Sequence, residues 1–218
     1  MKLLAISSPE FIPGETVIIN GLFRDGLECM HIRKPESKTE DFASLLSEIE
    51  PVFLDRIAIH QHHELAAKFG IWRLHFTENN RRTTSDEQLK KLCENGFMLS
   101  TSIHNLTDLK NISTAFSYTF FGPVFDSISK SGYKSAVPVD FFMQEKSKRI
   151  PVIGLGGIDI SNIQKVRNMN LDGAAVLGVL WREPARALEV FRMLREYQDP
   201  CSERATPLTP GLLPWDQL

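Results

Sequence analysis

The sequence predicts a single (β/α)8 TIM barrel over residues 1–197, followed by a C-terminal tail over 198–218. Three observations carry that expectation: eight short apolar runs, amphipathic segments alternating with them, and the nearly continuous apolar character of the last two runs. Parallel strands buried on both faces read as unbroken apolar stretches, and eight strand–helix alternations in one domain-sized chain fit a closed barrel. An open doubly wound sheet of the same elements is the alternative arrangement.

The runs are KLLAISS (2–8), LECMHIR (27–33), DRIAIHQ (55–61), WRLHFT (72–77), FMLSTSIH (97–104), YTFFGPVF (118–125), PVIGLGG (151–157) and GAAVLGVLW (173–181). Helical segments are expected at 15–23, 39–53, 63–69, 85–95, 107–116, 140–147, 161–169 and 184–197. In the second, Phe42, Leu45, Leu46, Ile49 and Phe53 recur at helical spacing and share one face. Thr39 with Glu40 and Asp41, Ser161 with Asn162, and Pro184 are start signals, whereas Gly70 and Gly96 follow helical patterns as stop signals. The tail QDPCSERATPLTPGLLPWDQL is rich in proline and polar residues.

Of the 218 residues, 42% are hydrophobic and 24% charged; 25 Lys and Arg against 27 Asp and Glu leave a formal net charge of -2. No block of five like charges occurs, which argues against nucleic acid or an anionic membrane as partner. The apolar run at the N-terminus is too short for a signal segment, and no window approaches a membrane span, so a soluble cytoplasmic protein is expected. Cys29, Cys93 and Cys201 show no C-x-x-C spacing; neither a disulfide framework nor a metal knuckle is indicated, and Cys29 reads as packing.

In a (β/α)8 barrel the chemistry sits at the C-terminal strand ends. Those ends carry His31, Arg33 and Lys34; His60 and Gln61; His75 and Thr77; Ser102 and His104; the stretch from Gly122 to Lys130; Gly156 and Gly157; and Gly178. Single strand-end histidines are often structural, but several converging on one mouth point to proton transfer. His60, His62 and His63 lack the spacing of a zinc helix, so no metal site is assigned.

Gly156, Gly157 and Gly178 stand after strands seven and eight, where backbone N–H groups commonly hold phosphate in this architecture. The stretch FFGPVFDSISKSGYKS opens after strand six on the same mouth, so Ser127, Ser129 and Lys130 can reach that anion.

With MHIRK (30–34), STSIHN (101–106), FGPVFDSISKSG (121–132), PVIGLGGID (151–159) and LDGAAVLGVL (171–180) in order, the sequence resembles the thiamine-phosphate synthase family over residues 1 to 195. The resemblance implies a synthase that joins hydroxymethylpyrimidine pyrophosphate to a thiazole phosphate with Mg²⁺. It places Arg33 at the pyrophosphate-binding arginine, Ser102 at a motif serine, Ser127, Ser129 and Lys130 on the pyrophosphate loop, and Gly157 with Gly178 at the thiazole phosphate. His31 and His60-Gln61 replace a glutamine and an Asn-Asp pair of the synthase motifs, and the segment from His75 to Asn80 lacks the family's aspartate. Both metal carboxylates are therefore missing.

These departures resemble the TenI-like branch, some of whose members aromatise a thiazole carboxylate phosphate by moving a proton without metal. Pro123 stands where that branch's tautomerase carries its histidine. The expected enzyme is thus a thiazole-phosphate-binding, TenI-like proton-transfer catalyst using His31, His60 or His104 in place of that histidine. A synthase with a rearranged Mg²⁺ site and a silent thiazole-phosphate-binding or regulatory protein are the alternatives. No cofactor is expected unless the synthase reading holds, and the resemblance favours a homodimer.

Overall fold

A computed structural model of the chain describes residues 1–126, 135, 137–138 and 140–197. Ser127, Ser129, Lys130 and the tail from 198 to 218 therefore lie outside the described residues. Eight parallel strands close on one another in sequence order, the first hydrogen-bonded to the second and to the eighth. They are β1 (Lys2–Ile6), β2 (Met30–Ile32), β3 (Ile57–Ile59), β4 (Arg73–Phe76), β5 (Met98–Ile103), β6 (Phe116–Phe121), β7 (Val152–Leu155) and β8 (Gly173–Val176). The closed (β/α)8 barrel is the one the alternation predicts, and the open sheet is set aside.

Every strand presents alternate residues to two apolar environments. Leu3, Ala5, Met30, Ile32, Ile57, Ile59, Leu74 and Leu99 face the surrounding helices and share the larger core. Leu4, Ile6, Cys29, Ala58, Tyr118, Phe120, Ile153 and Ala175 fill the barrel interior as a second, smaller core. Cys29 is wholly buried there, as packing. The same inward parity carries His31, His60, His75, Ser100 and Ser102, so the barrel axis is polar toward its C-terminal mouth.

Helix α1 (Glu15–Arg24) packs on α8 (Ala187–Arg195), and α2 (Thr39–Ser47) buries Phe42, Leu45 and Leu46. The predicted helix 39–53 stops at Ser47, because Pro51 cannot continue it and starts a 3-10 turn over Pro51–Arg56 instead. A short α3 (Ala66–Phe69) ends on Gly70 in the left-handed conformation. Helix α5 (Asp86–Glu94) begins with a capping box in which Ser85 and Gln88 bond reciprocally. Helix α6 (Ile163–Asn168) is shorter than the predicted 161–169.

Two expected helices are absent. Residues 107–116 give only a 3-10 turn at Leu106–Asn111, since the Ile112-Ser113-Thr114 run disfavours helix and β6 begins at Phe116. Residues 140–147 give a 3-10 turn at Glu145–Ser147. Two helices were not expected: α4 (Glu78–Thr83), capped by Thr77, and α7 (Gly178–Trp181), where the predicted eighth strand ends at Val176. Among the described residues no helix is long and apolar enough to cross a membrane.

Candidate active site

The strands converge on a cavity of about 400 Å³ at their C-terminal ends. Its floor is His60, His75, Ser102 and Phe120, one wall is Gly122, Pro123, Gly156 and Gly157, and Arg33, Glu78, His104, Leu177, Gly178 and Arg182 complete the lining. Strand parity explains the floor: Ser102, Phe120, His60 and His75 all occupy inward positions one or two residues from a strand's end.

Beneath the floor runs a chain of hydrogen bonds. His60 Nε2 lies 3.0 Å from His31 Nδ1, and His31 Nε2 lies 2.7 Å from the Tyr118 hydroxyl. The Tyr118 phenol is also in reach of the Ser100 and Cys29 side chains. His75 stands between two hydroxyls, its Nδ1 2.9 Å from Ser100 Oγ and its Nε2 2.9 Å from Ser102 Oγ. Both ends of this chain, His60 and Ser102, line the cavity. His60 makes its single hydrogen bond through Nε2; among the described residues no group bonds its Nδ1.

Burial sets the charge state of the chain. It pushes the His31 imidazole down to about 3, with the nearby Arg73 guanidinium adding to the shift. Burial likewise holds His60 and His75 well below the ordinary histidine range, helped by their mutual proximity and by Arg33 and His63. The Tyr118 phenol is pushed well above its usual value by burial and by the adjacent Cys29. Every member is therefore neutral at pH 7.

His31 is completely buried and does not line the cavity; its Nδ1 meets His60, which does. His104 sits at the rim, its Nδ1–H donating to the Gly122 carbonyl at 2.9 Å. Its Nε2 lies 3.9 Å from a Glu78 carboxylate oxygen. Arg33 and Arg182 both line the cavity, and neither has a carboxylate partner among the described residues. Gly156 and Gly157 take positive φ of 97° and 67°, and a Cβ on Gly157 would meet the Asp126 carbonyl at 2.5 Å. These glycines let the chain after β6 lie directly on the end of β7, and with Gly178 they put backbone on the cavity wall.

Reading strand ends alone leaves out Tyr118, Ser100, Glu78 and Arg182. Inward parity along β5 and β6 signals the first two. Arg182 follows Gly178 by four residues, one helical turn, a spacing hidden while 173–181 reads as strand. Lys34, on the list of strand-end residues, does not reach the cavity: its ammonium is buried against Glu15 at 2.5 Å and the carbonyls of Ser8 and Glu10, each at 2.8 Å.

Neither metal reading suits these donors. His31, His60 and His75 bring ring nitrogens within 4.8 Å of one another. Yet the His60 and His75 rings stack at 3.9 Å and 21°, so a metal in the plane of one lies off the plane of the other. Mg²⁺ takes hard oxygens, and among the described residues Glu78 is the one carboxylate on the cavity wall, already paired with Arg82.

Residues 5–180 match the thiamine monophosphate synthase family. The chain belongs to that family. Among curated relatives, the thiamine-phosphate synthase of Anoxybacillus flavithermus is 30% identical over 87 residues, covering 38% of this chain and 40% of the relative. The thiamine-phosphate synthase of Listeria monocytogenes is 22% identical over 143 residues, 62% of each. The matched region thus spans less than two thirds of either relative. Among solved structures, thiamine phosphate pyrophosphorylase from Bacteroides thetaiotaomicron superposes with a TM-score of 0.68 at 24% identity, covering 93% of this chain and 100% of that one. The Pyrococcus furiosus thiamine phosphate pyrophosphorylase gives 0.70 at 16% identity, covering 89% and 94%. At these identities the structures show that the thiamine monophosphate synthase family member described here shares their fold.

Proposed function

We propose that this chain is an enzyme of thiamine biosynthesis that moves a proton on a thiazole carboxylate phosphate, a TenI-like tautomerase. The observation that carries the reading is the composition of the cavity: neutral imidazoles and a hydroxyl on the floor, where metal-assisted pyrophosphate release would need carboxylates. A substrate with two anionic groups suits the two guanidiniums on the cavity wall that have no carboxylate partner among the described residues. The phosphate is assigned to Arg182 and the backbone of Gly156, Gly157 and Gly178, with Ser127, Ser129 and Lys130 as further donors. The carboxylate is assigned to Arg33. His60 then exchanges the proton at the floor, acting as general base through its open Nδ1, while His104, tethered to Gly122, frames the rim with Glu78.

The test follows solvent deuterium into thiazole carboxylate phosphate by NMR, with and without EDTA. Isomerisation at multiple turnovers that EDTA leaves unchanged is the expected result. Tight binding of the compound with no exchange would instead indicate a silent ligand-binding protein.

A second reading is favoured by the names of the relatives: a thiamine-phosphate synthase joining hydroxymethylpyrimidine pyrophosphate to thiazole phosphate. Thiamine phosphate formed from both substrates with Mg²⁺, detected as fluorescent thiochrome and abolished by EDTA, would establish it and overturn the tautomerase.

A further inference from the structure

We propose that His60, His31, Tyr118, Ser100, His75 and Ser102 form one neutral proton wire that takes a proton from a ligand at His60 and returns one to it at Ser102. The inference deepens the tautomerase reading and rests on it for the identity of the ligand. Its basis is connectivity: four hydrogen bonds of 2.7 to 3.0 Å, with the Tyr118 and Ser100 side chains in reach of one another between them, link two groups that both open on the same cavity.

A chain of this kind has two self-consistent arrangements. A neutral imidazole carries one N–H, and a hydroxyl donates once while accepting from its other neighbour. In the first arrangement His60 Nε2–H donates to His31 Nδ1, and His31 Nε2–H donates to Tyr118. The Tyr118 hydroxyl donates to Ser100, Ser100 to His75 Nδ1, and His75 Nε2–H to Ser102, whose own O–H points to the cavity. His60 Nδ1 is then a bare acceptor. In the second arrangement every bond is reversed: His60 presents Nδ1–H to the cavity and Ser102 presents an acceptor.

Passing from the first to the second moves one proton along each bond. His60 Nδ1 gains the ligand's proton as its Nε2–H passes to His31, and Ser102 gives its O–H proton to the ligand as it receives one from His75. The ligand loses and gains one proton at different atoms, and no member of the wire ends with a net charge. Water spanning His60 and Ser102 in the emptied cavity returns the wire to its starting arrangement.

Coupling of this type explains why three imidazoles and a phenol are placed in an apolar barrel, where a charged intermediate would be costly. His31, Tyr118 and Ser100 act through the end groups and are positioning residues; His60 and Ser102 face the ligand. The adjacent Cys29 thiol, pushed up to about 11 by burial, remains a neutral neighbour of Tyr118.

A sharp consequence follows for the tautomers: His31, His60 and His75 must all carry Nδ1–H or all carry Nε2–H. Long-range proton–nitrogen NMR of the ¹⁵N-histidine-labelled protein at pH 7 reads this without any ligand. One shared tautomer, or a single exchanging pair of shared states, is expected; a mixed set in the wild type overturns the wire. In Tyr118→Phe the wire is cut at its centre while every cavity-lining group stays. Exchange into thiazole carboxylate phosphate should fall about 100-fold with its Kd altered less than about 3-fold. An unchanged rate overturns the wire and leaves the tautomerase standing. Absence of turnover in a wild type with shared tautomers supports the wire and overturns the tautomerase instead.

Discussion

His31 and His60 meet edge-on inside the barrel, their rings at 83° and their facing nitrogens 3.0 Å apart, His31 wholly buried and His60 buried but for its edge on the cavity. Two imidazoles in that relation share one proton between the facing nitrogens, and neither ring can accept another without leaving a buried charge. The consequence reaches beyond chemistry to stability.

Acid should unfold the protein early. The folded pKa of His31 lies at about 3, and those of His60 and His75 are also lowered, against an ordinary 6.5. Below pH 6.5 the unfolded chain therefore binds more protons than the folded one, and stability falls as pH falls toward the folded values. Each imidazole contributes up to about 1.4 kcal/mol per pH unit, so the three together reach about 4. The urea midpoint is expected to be flat above about pH 7.5 and to drop steeply between 6.5 and 5. A midpoint constant across that window would show the imidazoles to be charged in the fold.

Replacing either Arg33 or Arg182 by alanine should weaken thiazole carboxylate phosphate binding about 10- to 100-fold in titration calorimetry, the range for losing a charge-assisted hydrogen bond of about 1.5–3 kcal/mol. The two losses report on different ends of the ligand, so a ligand lacking the carboxylate should discriminate against Arg182→Ala alone. Equal insensitivity of both variants would remove the anion site from the cavity mouth.

Gly157→Ala combines a left-handed backbone, φ 67°, with a contact of 2.5 Å to the Asp126 carbonyl. A side chain there costs about 1–2 kcal/mol from the dihedral alone, and the close contact adds to it. Urea denaturation should show at least that loss; stability equal to wild type would mean that the segment after β6 yields freely.

Lys34→Met should cost about 3–5 kcal/mol by stranding the Glu15 carboxylate, one oxygen of which, Oε1, already has no hydrogen-bond partner. Burial pushes Lys34 down and Glu15 up, each toward its neutral form, against the pull of the pair itself. The double variant Lys34→Met with Glu15→Leu should recover much of the loss. Additive losses would show that the two groups are not coupled.

The barrel was legible because its signal is repeated: eight apolar runs reinforce one another, and a closed sheet needs only their order. The helical layer was less legible. Propensity placed helices at 107–116 and 140–147, but short connections around β6 accept single 3-10 turns, and Pro51 cut α2 where its apolar spacing continued through Phe53. Strand-end position was enough to anticipate that His60, Ser102 and Arg33 line the cavity. It could not find Tyr118 or Ser100, which sit deeper on the inward face, because depth along a strand depends on the stagger between neighbours. The placement of Arg182 awaited α7, whose Leu-Gly-Val-Leu sequence reads equally as strand.

One hydrogen bond joins regions 175 residues apart: the Trp181 indole N–H donates to the Ile6 carbonyl at 2.7 Å. Together with the pairing of β1 on β8, it forms a clasp across the seam where the sheet meets itself. During synthesis β1 lacks its β8 neighbour until the last strand has emerged, so this barrel can close only late. The floor of the cavity, drawn from strands on the growing side of that seam, gains the Leu177 and Gly178 part of its wall only then.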